Sequence, residues 1–256
     1  MKVLVTGASS GIGRDLAREF AKRNYDLVLV ARNVERLEKL KQELINEYNV
    51  NAEYISMDLS KRENCIDLHS KVRDIDILVN NAGLGDFGEF SETELIKDFS
   101  IIDTNITSVH VLTKLYLKDM REKNAGKILN VASIAGFMPG PLMATYYASK
   151  NYVVRLSEAI KEELHKAKSD VKISILCPGP VKTNFNDVAN VKFELSSLSS
   201  EYVAKYTVEK FLKEKFYIVP GKMIKIGKAL AKIVPTPIVA KVCYKMQKAK
   251  EGKNKR

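Results

Sequence analysis

The chain has 256 residues and a mass of 28.8 kDa, with 45% hydrophobic and 29% charged residues; this allows a large core and excludes disordered, collagenous and low-complexity classes. Three cysteines, Cys65, Cys177 and Cys243, stand far apart with no CxxC pair, which argues against a disulfide framework or a clustered zinc site and fits a reducing compartment. The net charge of +11 is uneven: residues 205–256 carry 15 basic against three acidic side chains, while the preceding residues hold 27 basic and 28 acidic, so the body is neutral, the tail is basic, and a nucleic-acid-binding domain is not expected.

Residues 1–6 already read as a buried strand entering a glycine loop, so no secretory signal is expected. No apolar run approaches the roughly 18 residues of a spanning helix, and the expected location is the cytoplasm. Short apolar runs at 3–5, 27–30, 53–56, 75–79, 127–131 and 171–176 read as strands. Between them, 13–22 carries Leu16, Ala17, Phe20 and Ala21 at helical spacing, and 34–47 carries Leu37, Leu40, Leu44 and Ile45 on one face. Apolar strands alternating with amphipathic helices predict an α/β, doubly wound, Rossmann-type parallel sheet in three αβα layers. The expected organisation is a nucleotide-binding catalytic domain over 1–195, its substrate-side lid with a last helix and strand over 196–220, and a basic amphipathic helical appendage over 221–256.

The loop Thr6-Gly7-Ala8-Ser9-Ser10-Gly11-Ile12-Gly13 joins the first strand to the first helix. Glycines there permit a tight turn and close approach to a pyrophosphate, which the helix N-terminus attracts; a purely structural turn is the alternative. At the end of the second strand, where NAD-binding folds place an acid for the ribose hydroxyls, the chain has Arg32-Asn33. A guanidinium suits a 2′-phosphate, so NADP is preferred over NAD, with an ordinary surface charge as the competing reading. Tyr146 and Lys150 fall one helical turn apart, and an ammonium beside a phenol lowers its proton affinity toward the range useful for carbonyl reduction. Ser133 ends the fifth predicted strand, at the sheet edge where such folds place ligands, and Asn80-Asn81-Ala82-Gly83 ends the fourth.

These motifs, together with Asp58, Asn105 and Pro178-Gly179-x-x-x-Thr183, occur in an order that resembles the short-chain dehydrogenase/reductase family over about the first 190 residues. The resemblance implies hydride transfer from NADP(H) to a carbonyl, with Tyr146 as general acid or base, Lys150 tuning it and holding the nicotinamide ribose, and Ser133 polarising the substrate oxygen. It implies that Asn105 helps hold a water linking the lysine to solvent. The cofactor would lie against Gly7, Ser9, Ser10, Gly11, Ile12 and Gly13; Arg32 and Asn33 would take the 2′-phosphate, and Asp58 and Leu59 the adenine. Asn81, Ala82 and Gly83 would line the adenosine side, with Pro178, Gly179, Val181 and Thr183 at the nicotinamide. Ser10 departs from NADP-dependent relatives, many of which have a basic residue there, so Arg32 is expected to act alone. A small-molecule carbonyl or alcohol partner and a homodimer or homotetramer are also implied, and no metal is needed. His69, His110 and His165 have no ligand spacing and read as surface or packing residues, and Cys177 as a buried strand-end thiol.

The specificity segments of the family match 137–143 and 184–200 here, with Phe137, Met138 and Met143 in the first and Phe185, Val188, Val191, Phe193 and Leu195 in the second. Their apolar content points to a lipophilic carbonyl such as a 3-oxoacyl or steroid-like ketone, or else to core or subunit packing. In the tail, Met223, Ile226, Leu230 and Ile233 and then Ile238, Val239, Val242, Cys243 and Met246 keep helical spacing with lysines interleaved. Two readings stay open: peripheral contact with an anionic membrane, or packing of the first of these helices over the substrate site or a neighbouring subunit with 248–256 solvated. An oxidative direction on an alcohol or hydroxysteroid, and a nucleotide sensor without chemistry, are the alternative functions.

Overall fold

The computed structural model describes residues 1–183, 197–221, 224–226 and 233–251. Its centre is a seven-stranded sheet in the order β3-β2-β1-β4-β5-β6-β9, in which every pairing is parallel. The strands are β1 (Lys2–Thr6), β2 (Asp26–Ala31), β3 (Ala52–Ser56), β4 (Ile77–Asn80), β5 (Lys127–Val131), β6 (Lys172–Leu176) and β9 (Tyr217–Ile218). A second, small parallel pair joins β7 (Val181–Lys182) to β8 (Leu198–Ser199). The fourth strand starts and ends slightly later than the expected 75–79; the other differences are of one or two residues at element ends.

Alternation along the strands shows why both faces must be covered. Val3 and Val5 belong to one buried cluster with Leu16, Phe20, Leu27, Leu29, Leu37 and Phe211, whereas Leu4 belongs to the opposite one with Val28, Val30, Leu68, Leu78, Leu112 and Tyr116. Successive strand side chains point to opposite faces, so an uninterrupted apolar strand needs a helix layer on each side. The helices are α1 (Gly11–Ala21), α2 (Val34–Tyr48), α3 (Arg62–Lys71), α4 (Leu95–Ile102), α5 (Ser108–Glu122), α6 (Ala144–Lys166), α7 (Ser200–Leu212) and α8 (Thr236–Glu251). α1 and α7 pack together through Phe20 and Phe211, whose rings meet edge to face at 6.1 Å.

The strand order reverses between β1 and β4, which opens a crevice at their carboxyl ends, the usual ligand position in an open α/β sheet. Thr6 fastens this point: its hydroxyl donates to Val79 O at 3.2 Å and accepts from Asn81 N and Ala82 N at 2.9 and 3.1 Å. Deeper in the sheet, Asn80 Nδ2 donates to Thr113 Oγ1 and Asn130 Oδ1, and Asn130 Nδ2 to Ser157 Oγ, tying β4 and β5 to α5 and α6. These amides are almost fully buried. They hold the catalytic edge by directed bonds where apolar packing alone would permit slippage.

Candidate active site

The glycine loop between β1 and α1 is shaped by backbone geometry. Gly7 has φ +65°, a left-handed conformation that side chains disfavour, and a Cβ there would lie 2.8 Å from Ala82 Cα. A Cβ on Gly13 would lie 2.3 Å from Asn81 Nδ2 and 2.4 Å from Gly7 O. The Asn81 amide itself donates to Thr6 O and Gly7 O at 2.9 and 3.2 Å and so braces the turn. At the N-terminus of α1, Ser10 makes no side-chain cap, and no acid occupies the first turn, so the N–H groups and the dipole are left to an anion.

One cavity of about 990 Å³ brings the pieces together. Gly7, Ser9, Ser10, Gly11, Ile12, Arg32, Asn33, Asp58, Leu59, Asn81, Ala82, Gly83, Ser133, Tyr146, Lys150, Pro178, Gly179, Val181 and Thr183 all line it. Two expected residues do not. Gly13 is a packing position, where the helix passes too close to Asn81 and Gly7 for any side chain. Asn105 is fully buried in a π-helical turn, Asp103–Thr107, with its side chain engaged: Oδ1 accepts from Leu84 N at 2.8 Å, and Nδ2 donates to Leu84 O and Ser149 Oγ, each at 2.9 Å. Its side chain ties the loop after β4 to α6.

A second arginine lines the cavity with Arg32. Asn33 caps α2 by accepting from Arg36 N at 2.8 Å, and Arg36, in the first turn of that helix, lines the cavity beside Arg32. Half of the expected Asn33 contact is thus a helix cap. The i+3 spacing from the cap was the available signal for Arg36.

At the other end, Ser133 closes β5 as the N-cap of a short 3₁₀ turn, accepting from Ala135 N at 3.1 Å. Ser133 also hydrogen-bonds Tyr146, which favours the phenolate, but burial dominates and pushes the Tyr146 phenol above its ordinary value. Lys150 Nζ lies 5.8 Å from the Tyr146 ring centre and donates to Val131 O at 3.1 Å. Burial lowers the Lys150 ammonium to about 8. Both groups answer first to desolvation, which disfavours each charged form.

Beyond Tyr146 the wall turns apolar. Met138 and Met143 line it as expected, whereas Phe137 belongs to the core with Val153 and Ile175. Residues Phe185, Val188, Val191, Phe193 and Leu195, as well as Met223 and Leu230, lie outside the described residues. Unanticipated in detail is α8, which contributes Val239, Val242, Cys243, Met246 and Gln247 to the same cavity. Gln247 Nε2 donates to the Tyr147 hydroxyl at 2.8 Å, and Cys243 Sγ stands 3.5 Å from Met138 Sδ. The inner face of α8 packs over this cavity, whereas the first helix of the tail, the one expected over the substrate site or a neighbouring subunit, lies mostly outside the described residues.

The histidines read as packing residues fit that reading in two cases: His69 Nε2 lies 2.8 Å from Asp119 Oδ2 and edge-on to Tyr116, and His110 Nδ1 lies 2.7 Å from the Tyr152 hydroxyl. Among the described residues no group of three or more His, Cys, Asp or Glu gathers to hold a metal, and no helix is long and apolar enough to cross a membrane.

A profile of short chain dehydrogenases matches residues 1–192. The chain belongs to the short chain dehydrogenase family. Among its relatives, a very-long-chain 3-oxoacyl-CoA reductase of Anas platyrhynchos is 34% identical over 205 residues, covering 75% of this chain and 63% of that protein. A 17-beta-hydroxysteroid dehydrogenase type 3 of Homo sapiens is 34% identical over 225 residues, covering 85% of this chain and 68% of that one. A short-chain dehydrogenase from Sphingobium yanoikuyae, solved in complex with NADPH, superposes with a TM-score of 0.81 at 27% identity, covering 91% of this chain and 96% of its own. This oxidoreductase family therefore accounts for the Rossmann-type sheet with its crevice at the strand ends, while the chain spans less than two thirds of the duck reductase's length.

Proposed function

We propose that the protein is an NADPH-dependent oxidoreductase that reduces a lipophilic ketone or aldehyde, of 3-oxoacyl or steroid-like character, to the alcohol. The observation that carries this reading is the continuity of one cavity from the glycine loop, past Arg32 and Arg36, to Ser133, Tyr146 and Lys150, and on to a wall of methionine, valine and cysteine side chains. The glycine turn, the uncapped α1 N-terminus and the two arginines lining the cavity fit a dinucleotide with a 2′-phosphate.

The nicotinamide, when bound, supplies a hydride to the carbonyl carbon. The chain's own residues manage the oxygen and its proton. Ser133 and Tyr146 converge on one point, where they hydrogen-bond the substrate oxygen as negative charge grows there. A phenol raised by burial keeps its proton at neutral pH and donates it to that oxygen. Lys150, still charged below about pH 8, then stabilises the phenolate left behind. Subunit association as a homodimer or homotetramer is part of the proposal, supported by exposed Phe90, Leu95, Ile96 and Phe99 on and before α4.

Purified protein is to be assayed for NADPH consumption against 3-oxoacyl thioesters, ketosteroids, long-chain aldehydes and small polar ketones. Turnover rising with substrate apolarity is expected; tight NADPH binding with no turnover on any of them would move the protein to a sensor role.

A further inference from the structure

α8 has two different faces. Cys243 and Gln247 are buried against the cavity, with Val239 beside them. Turning round the helix, Met246 and Val242 line the cavity yet remain about half exposed, at 49% and 51%, and Ile238 continues the strip outward at 52%. An apolar ramp thus runs without interruption from the substrate cavity to the outer surface. Lys241, Lys245 and Lys248 flank it on the solvent side, all exposed, and residues 236–250 contain no acidic side chain.

An exposed apolar strip bordered by cations on one helix matches the boundary between headgroups and acyl chains: the strip enters the hydrocarbon edge and the ammonium groups meet anionic phosphates. A second copy of the chain is a poorer occupant, because symmetric pairing of this face sets lysines against lysines. We infer that α8 docks the protein on an anionic bilayer through Ile238, Val242 and Met246 with Lys241, Lys245 and Lys248, so that a lipophilic substrate passes from the bilayer along the ramp into the cavity. The docking stands on the helix surface alone; its use in substrate delivery rests on the reductase reading above.

The test is co-sedimentation of the full chain, with NADPH present, with vesicles of phosphatidylcholine or of phosphatidylcholine mixed with phosphatidylglycerol, at low and high salt. Binding to the mixed vesicles that weakens with salt is expected. The combined substitutions Lys241→Glu, Lys245→Glu and Lys248→Glu, none of which touches the cavity, are expected to weaken it at least about a hundredfold. They leave NADPH affinity and reduction of a small water-soluble ketone unchanged, while removing the rate gain that mixed vesicles give for a long-chain ketone dissolved in them. Ile238→Ser is expected to weaken vesicle binding without altering the sedimentation coefficient in the absence of lipid. No binding at low salt, salt-independent binding, or full binding by the triple variant each overturns the proposal. Dissociation of an oligomer by Ile238→Ser also overturns it and gives the face to a second copy. If vesicles fail while the soluble ketone is still reduced, only the docking is lost; if vesicles bind and no carbonyl is reduced, only the reductase reading is.

Discussion

The two halves of the cavity are built by different means. The nucleotide half is made of backbone and small side chains at the carboxyl ends of β1, β2 and β4, where Gly7, Gly13, Thr6 and Asn81 lock one another in place. The substrate half is made of large flexible side chains, Met138, Met143, Tyr147, Met246 and Gln247, from segments about 100 residues apart that meet only because α8 folds back on α6. The first surface is pre-formed by strand pairing, and the second is an adaptable wall whose shape depends on one helix staying docked.

The contrast can be broken most severely at the junction of the halves. Tyr146→Phe keeps the ring and the cavity shape but removes the proton donor; kcat is expected to fall by roughly 10²–10⁴-fold while NADPH affinity, measured by fluorescence titration, stays within error. Retained turnover would show that the proton comes from elsewhere. In the nucleotide half, Arg32→Asp is expected to raise the KM for NADPH by about tenfold to a hundredfold, the range of a lost charge-assisted contact, and to shift preference toward NADH. Arg36→Ala is expected to move it in the same direction by less; equal NADPH and NADH affinities in the unaltered protein would refute the phosphate reading of both arginines.

Lys150 lets stability and function be pulled apart. Because the fold disfavours the ammonium, the unfolded chain binds more protons between about pH 8 and the ordinary lysine value of 10.5, so this group's contribution to stability grows as pH rises through that window. Below it the penalty is complete. Lys150→Met is therefore expected to abolish turnover while raising the melting temperature at pH 7 by a few degrees, at roughly 2–4 °C per kcal/mol for a domain of this size. In the unaltered protein, kcat/KM for reduction is expected to decline above about pH 8 as the lysine loses its charge. A profile flat to pH 10 would contradict this role. The smallest effect belongs to the adaptable wall: Gln247→Leu breaks the bond to Tyr147 and is expected to change the KM for apolar substrates a few-fold, on the order of 1 kcal/mol, with NADPH kinetics unaltered.

The same division explains what was legible beforehand. Every expected strand is present: β1, β2 and β4 through buried apolar runs, the edge strand β3 with only partial burial; the glycine loop is readable because a positive φ at Gly7 and contacts below 3 Å at Gly7 and Gly13 disfavour other residue types. Gly13 packs against Asn81 and Gly7, a close approach that spacing along the chain does not distinguish from approach to a ligand. The partners of the Asn105 amide, Leu84 and Ser149, come from two other segments, which its motif does not announce. Arg36 is not singled out by the sequence because a lone arginine in a first helical turn is common; its place along the cavity wall comes from the fold.

From its residues alone, then, this protein's fold and its glycine loop follow, because each rests on a local constraint, burial period or backbone sterics; Ser133, Tyr146 and Lys150 stand out through the family resemblance, and the structure brings them to one cavity. The direction in which Tyr146 and Lys150 titrate, the service of Asn105 as a brace and the closing of the cavity by α8 were decided by tertiary structure. Desolvation and long-range contact depend on which distant segments arrive beside a group, and no spacing within the chain encodes that arrival directly.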